Sequence, residues 1–113
     1  MKVIIESRDP AGAELRDFVE RRLRFVIRRL AWLVPRAKVR LTDVNGPRGG
    51  VDKRCQLELK TEHVGTVNII ALAQDWRAAL ETALARAYKV LVRNVERRRQ
   101  HKRARPLAID ADE

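Results

Sequence analysis

The sequence predicts an α+β fold: a two-layer sandwich in which a four-stranded mixed sheet carries two helices on one face, in the order β-α-β-β-β-α. Three observations predict it. Two stretches repeat apolar residues at spacings of three and four, the mark of an amphipathic helix. Four short stretches carry strand patterning, bounded by Pro, Gly, Asn and Asp. The first helix lies between the first two strands, so a right-handed crossover makes those strands parallel neighbours, while the last three strands form an antiparallel meander. At 113 residues the chain holds one domain, placed at 1–105, followed by a short acidic tail at 106–113 that is expected to be mobile.

Residues 1–8 read as the first strand, with Val3 and Ile5 on one face and Lys2 and Glu6 on the other. Asp9 then suits a helix N-cap, and Pro10 suits the first helical position, where its missing N–H costs nothing. Residues 13–33 are expected to form one long helix on the stripe Leu15, Val19, Leu23, Val26, Ile27, Leu30 and Leu33, stopped by Pro35. Winding at 100° per residue groups Arg21, Arg24 and Arg28 opposite that stripe and puts Arg22 and Arg29 on a flank with Phe18, Phe25 and Trp32.

The second strand spans 37–44 with Val39 and Leu41 on one face, and Asn45-Gly46-Pro47-Arg48-Gly49-Gly50 is an irregular connection. Residues 53–61 alternate well, with Cys55, Leu57 and Leu59 inward, and a hairpin turn at 62–65 leads to the strand at 66–73. That last strand is apolar enough for partial cover on both faces, with Val67, Ile69, Ala71 and Ala73 on one side and Ile70 and Leu72 on the other. Asp75 caps the second helix, whose stripe is Trp76, Leu80, Ala83, Leu84, Ala87, Leu91 and Val95. Arg86, Lys89, Arg93 and Arg97 share another face of it.

Charge narrows the function. The chain carries 25 Lys and Arg against 15 Asp and Glu, a net +10, and most of the cations are Arg. In so small a domain that surplus points to a polyanionic partner, and Arg favours phosphate because its planar fork donates two parallel hydrogen bonds. Solubilising surfaces ordinarily mix both signs. The clustering of cations on two helices departs from that, although for any single Arg a solvated role is the better reading.

Other functions are excluded or left without support. One cysteine permits no intrachain disulfide and no cysteine-based zinc cluster, and His63 and His101 lack metal-ligand spacing, so no metal and no cofactor are expected. No phosphate-binding Gly-rich motif and no nucleophile elbow occurs, so the chain is not expected to be an enzyme or to have a small-molecule substrate. Cys55 reads as a small core residue and Trp76 as core packing. Phe18, Phe25 and Trp32 either pack at the core edge or stack on bases beside Arg22 and Arg29; helix flanks ordinarily pack on neighbours, which favours the core edge. The opening MKVIIESRD does not read as a signal peptide, and the apolar run at 69–73 is far too short to span a bilayer. A cytoplasmic protein, with no membrane partner and monomeric when free, is expected.

The order of elements resembles the ribosome hibernation promoting factor and ribosome-associated inhibitor family. Leu15-Arg16-Asp17-Phe18-Val19-Glu20-Arg21-Arg22-Leu23 is similar to that family's first-helix pattern of Leu-Arg-acidic/polar-aromatic-Val-Glu-Lys-Lys-Leu. Asp75-Trp76-Arg77-Ala78-Ala79-Leu80-Glu81 is similar to its second-helix opening, Asp-apolar-Tyr-Ala-Ala-Ile-Asp, with Arg77 in place of the usual Tyr. Phe25 stands where the family often has Lys, and the chain resembles a short form without the second domain of long members.

The resemblance implies a non-enzymatic, cytoplasmic protein that occupies the mRNA and tRNA channel of the small ribosomal subunit under stress or in stationary phase and silences translation. It implies rRNA contacts from basic residues of both helices: Arg21, Arg22, Arg28 and Arg29 on the first, and Arg86, Lys89, Arg93 and Arg97 on the second. The helical winding adds Arg24 to this RNA-binding set. Two other readings stay open, a general double-stranded RNA-binding module, since α-β-β-β-α is also that domain's layout, and a basic protein–protein adaptor.

Overall fold

The structure, a computed structural model, describes residues 1–44, 52–62 and 65–112, with side chains as far as Arg99. The predicted connection at 45–50 with Arg48, the turn residue His63, the His101 side chain and the side chains of the predicted tail at 106–113 lie outside the described residues. The elements are β1 (Lys2–Ser7), a short turn of helix α1 (Pro10–Ala13), α2 (Arg16–Val26), a 3₁₀ segment (Arg28–Leu33), β2 (Arg36–Asp43), β3 (Lys53–Lys60), β4 (Thr66–Ala73) and α3 (Trp76–Asp112).

The sheet order is β1-β2-β3-β4. β1 runs parallel to β2, and the other two pairings are antiparallel. This is the predicted mixed sheet, and its register follows from burial. Ala37, Val39 and Leu41 stand beside Leu59, Leu57 and Cys55, and those beside Val67, Ile69 and Ala71. All but the partly buried Ile69 are buried, so one face of the sheet is committed to the core. A slip of one residue would turn that whole set to solvent.

The helices close the core on that face. Val19, Leu23 and Ile27 from the first helical region join Trp76, Leu80, Ala83, Leu84, Ala87 and Leu91 of α3 in a single cluster with the sheet residues. Alanines at 79, 83 and 87 are fully buried, which lets the α3 backbone approach the sheet closely. Asp75 caps α3 as expected, its Oδ1 accepting from the Ala78 N–H at 2.8 Å. Asp9 caps α1 in the same way, accepting from the Ala11 N–H at 2.9 Å.

Two expectations are corrected. The single helix over 13–33 is broken twice. Gly12 packs so closely on β1 that a Cβ there would collide with Ser7 Oγ, and this docked first turn is separated from α2 by Glu14 and Leu15. At the far end Ile27 leaves helical geometry (φ −105°, ψ 18°), after the β-branched pair Val26-Ile27, and the chain continues as 3₁₀ helix. Three residues per turn place Ile27, Leu30 and Leu33 one above another toward the core, which the α-helical drift would not do. Lastly, the second face of β4 is uncovered, with Ile70 46% and Leu72 51% exposed.

A polar cluster sits at one end of the core. Lys53 Nζ donates to Asp43 at 2.9 Å and to the buried Asp52 at 3.2 Å, and lies 5.3 Å from the centroid of the Trp76 ring. Hydrogen bonding to Asp43 raises the Lys53 pKa, against the opposing effect of desolvation. The Trp76 indole N–H donates to the Thr42 carbonyl at 3.3 Å, which ties the start of α3 to β2.

Leu23 joins α2 to the sheet and is fully buried. Leu23→Ala should lower unfolding free energy by about 3 kcal/mol, the range for a large buried aliphatic truncation. Urea titration followed by tryptophan fluorescence measures it, and a loss under about 1 kcal/mol would mean that α2 is not seated on the sheet.

Candidate nucleic-acid interface

Two helical segments side by side on one sheet face leave a groove between them. Its walls are Arg22, Phe25, Val26, Arg28 and Arg29 on one side and Glu81, Leu84, Ala85, Tyr88 and Lys89 of α3 on the other. Four cations thus face one carboxylate. That carboxylate is engaged: Glu81 Oε1 accepts from Arg22 Nη2 at 2.9 Å and from Arg22 Nε at 3.3 Å, a bridge that links the two helices across 59 residues of sequence. Arg28, Arg29 and Lys89 have no carboxylate partner among the described residues and are exposed.

Aromatic rings hold part of this charge in place. The Arg28 guanidinium lies 4.2 Å from the centroid of Phe25 and donates to the Phe25 carbonyl at 2.7 Å. Arg22 lies 5.5 Å from the same ring. Phe25 is 55% and Trp32 60% exposed, so both depart from the core-edge expectation. For Trp32 the reason is the 3₁₀ segment: once Ile27, Leu30 and Leu33 turn inward, Arg29 and Trp32 share an outward ridge three residues apart. Phe18 alone is partly buried against the core, with the Arg77 guanidinium 4.5 Å above its ring. A guanidinium over a ring face remains charged, with N–H groups free to donate in the ring plane.

The expected basic rows are redistributed. Arg21 and Arg24 do not accompany Arg28. They line a separate recess with Asp17 and Glu20, where Arg24 Nε pairs with Glu20 at 2.9 Å and Arg24 Nη1 donates to the Met1 carbonyl at 3.2 Å, while Arg21 Nε donates to the Asp17 carbonyl at 3.3 Å. Arg86 turns toward β4, its Nη1 donating to the Ile70 carbonyl at 3.2 Å. Arg93 and Arg97 are exposed and wind within roughly 20° of Arg86 at 100° per residue, on the flank of α3 away from α2. Arg22, Arg28, Arg29 and Lys89 are therefore the only members of the expected set that line the groove between the helices.

Sequence patterning missed Tyr88, which lines the groove and is 38% exposed. It lies between the buried stripe residues Leu84 and Leu91, and no spacing rule distinguishes it from a helix-flank ring. The Glu81 bridge was equally hidden, because it joins residues that only packing brings together.

Little here suits bond chemistry. Cys55 is wholly buried, and burial pushes its thiol up to about 12. Among the described residues no group of three His, Cys, Asp or Glu is placed to hold a metal ion, and no helix is long and apolar enough to cross a membrane.

No protein-family model matches the chain, and no curated protein matches it. A solved structure does share its fold: the N-terminal domain of Protein Y from Thermus thermophilus, with a TM-score of 0.58 and 24% identity, covering 82% of this chain and 98% of that one.

The Cys55 environment sets a pH dependence. With a folded-state pKa above that of the unfolded chain, the thiol holds its proton longer in the folded state, so this group removes stability as pH rises from about 9 toward 12. Disulfide-exchange titration at pH 8 should find Cys55 inert in the native protein and reactive in urea. Cys55→Ala should flatten the alkaline part of a stability–pH curve.

Proposed function

We propose that the chain is a ribosome-binding translation silencer that acts by occupancy. In this reading it sits in the mRNA and tRNA channel of the small ribosomal subunit and holds rRNA backbone with the cations of its helices. The observation that carries the proposal is the groove between the helices, where Arg28, Arg29 and Lys89 stand without carboxylate partners among the described residues. The β-α-β-β-β-α order supports it, since that is the layout implied by the sequence resemblance of residues 15–23 and 75–81 to the ribosome hibernation family. The fold shared with the Protein Y N-terminal domain supports the same layout.

The physics of such a site is phosphate neutralisation. Each Lys or Arg that contacts a phosphate releases counterions, so affinity falls steeply with salt. Guanidinium groups grip phosphate through paired hydrogen bonds, and contacts of this kind read backbone shape rather than base sequence. Arg22 contributes less than its position suggests, because Glu81 already holds it. Arg93 and Arg97 extend the contact along α3, and Arg21, Arg24 and Arg86 add charge from the flanks. No bond need be made or broken, and bulk in the channel suffices to exclude mRNA and tRNA. The domain at 1–105 carries all of these residues, in the cytoplasm, as a monomer before binding.

Sedimentation of purified small subunits with the protein at low salt tests this reading. The wild type should co-migrate, and the triple variant Arg28→Glu/Arg29→Glu/Lys89→Glu should remain folded yet bind about 100-fold or more weakly, consistent with reversing three charges at phosphate contacts. Tight, length-dependent binding to plain RNA duplex without subunit binding would favour the double-stranded RNA module instead. A complex from lysate that survives nuclease would favour the adaptor.

The one acid of the groove gives an opposite-signed check. Glu81→Gln frees Arg22 and should tighten subunit binding several-fold and steepen its salt dependence. Weaker binding by a folded Glu81→Gln protein would mean that phosphate does not enter the groove.

A further inference from the structure

The solvent face of the sheet is cationic as well, and this charge lies on the side of the molecule opposite the helices. Register places Lys2, Arg36 and Lys60 directly beside one another on β1, β2 and β3. All three are exposed, and none has an ion-pair partner among the described residues. Strands lie about 4.8 Å apart, so the row packs three positive charges into roughly 10 Å. Lys38, Arg40 and Arg54 share this face by alternation, with Glu6 and Glu58 as its only acids among the described residues. Glu6 is spent on two of them, accepting from Lys38 at 3.3 Å and Arg40 at 3.2 Å.

Such a row works against the fold. Like charges directly opposite on neighbouring strands are destabilising. Lysine on an edge strand can guard against strand pairing, but Arg36 and Lys60 lie on the two inner strands, where no edge needs guarding. The arrangement gains from a polyanion laid across the strands.

We infer that the sheet's solvent face is a second RNA-backbone contact, centred on Lys2, Arg36 and Lys60, so that the domain is held between two RNA segments rather than resting on one. This rests on the RNA-binding reading above. RNA suits the row better than an acidic protein does. Protein interfaces anchor on buried apolar or aromatic side chains, whereas the exposed apolar pair of this face, Ile70 and Leu72, sits on β4, the strand farthest from Lys2.

The test compares the wild type with Lys2→Gln/Arg36→Gln/Lys60→Gln on purified small ribosomal subunits and, in parallel, on a short RNA hairpin, across a range of salt. The variant should fold with unchanged or slightly raised thermal stability, and the single Arg36→Gln variant stands in should the triple fail to fold. Subunit affinity should drop about tenfold or more, and the slope of log affinity against log salt should fall by about two to three, as expected for three lost phosphate contacts. If the wild type binds subunits and the triple matches it in affinity and slope, the second contact is overturned while the groove reading stands. If the wild type binds only the hairpin and the triple weakens that binding, the sheet contact stands and the ribosomal reading falls. Binding of the wild type to neither RNA, or a sheet-dependent complex from lysate that survives nuclease, overturns this inference.

Discussion

A sheet with one apolar face has to be covered, and here two helical segments cover it side by side. Val39, Leu41, Cys55, Leu57 and Leu59 line that face, all buried. Burial of this size, at about 25 cal/mol per Å² of apolar surface, sets the position of everything above it. The helices cannot separate without exposing Leu23, Leu80 and Leu84, and they cannot merge because each is a cylinder about 10 Å across. The groove between them is a geometric consequence of the core. Its charge comes from whatever residues the sequence places on the two inward-leaning flanks.

Electrostatics then sorts those residues by partner. Arg22 is neutralised across the groove by Glu81, and Arg24 along its own helix by Glu20. Arg28, Arg29 and Lys89 are left without carboxylate partners among the described residues, with Phe25 under the Arg28 guanidinium holding it in a defined orientation. Exposed ion pairs contribute little to stability, so the paired arginines matter more for where they are held than for how strongly they bind the fold together. Among the described residues, cations without carboxylate partners lie on both layers, helices and sheet.

Much of the architecture was legible beforehand. The alternation in β2 and β3, the Asp9 and Asp75 caps, and the stripe from Trp76 to Leu91 each reported a local rule that the fold obeys. The first helical region was read less well. Apolar spacing over 13–33 is compatible with a continuous helix, and what breaks it is contact: Gly12 against Ser7, and the inward stacking of Ile27, Leu30 and Leu33 on the core. The rotation at Ile27 in turn separates Arg28 from Arg21 and Arg24 and turns Trp32 outward, so the error in the helix became the error in the basic rows.

Patterning by itself determined the fold class, the buried face of the inner strands and the sign of the surface, because alternation, helical periodicity and net charge are local or additive properties of the chain. Tertiary structure decided which cations share a groove, which are paired with carboxylates, and which rings are exposed. Those depend on distances between residues far apart in sequence, such as Arg22 and Glu81 or Lys2 and Lys60, and only packing of the sheet and helices sets such distances.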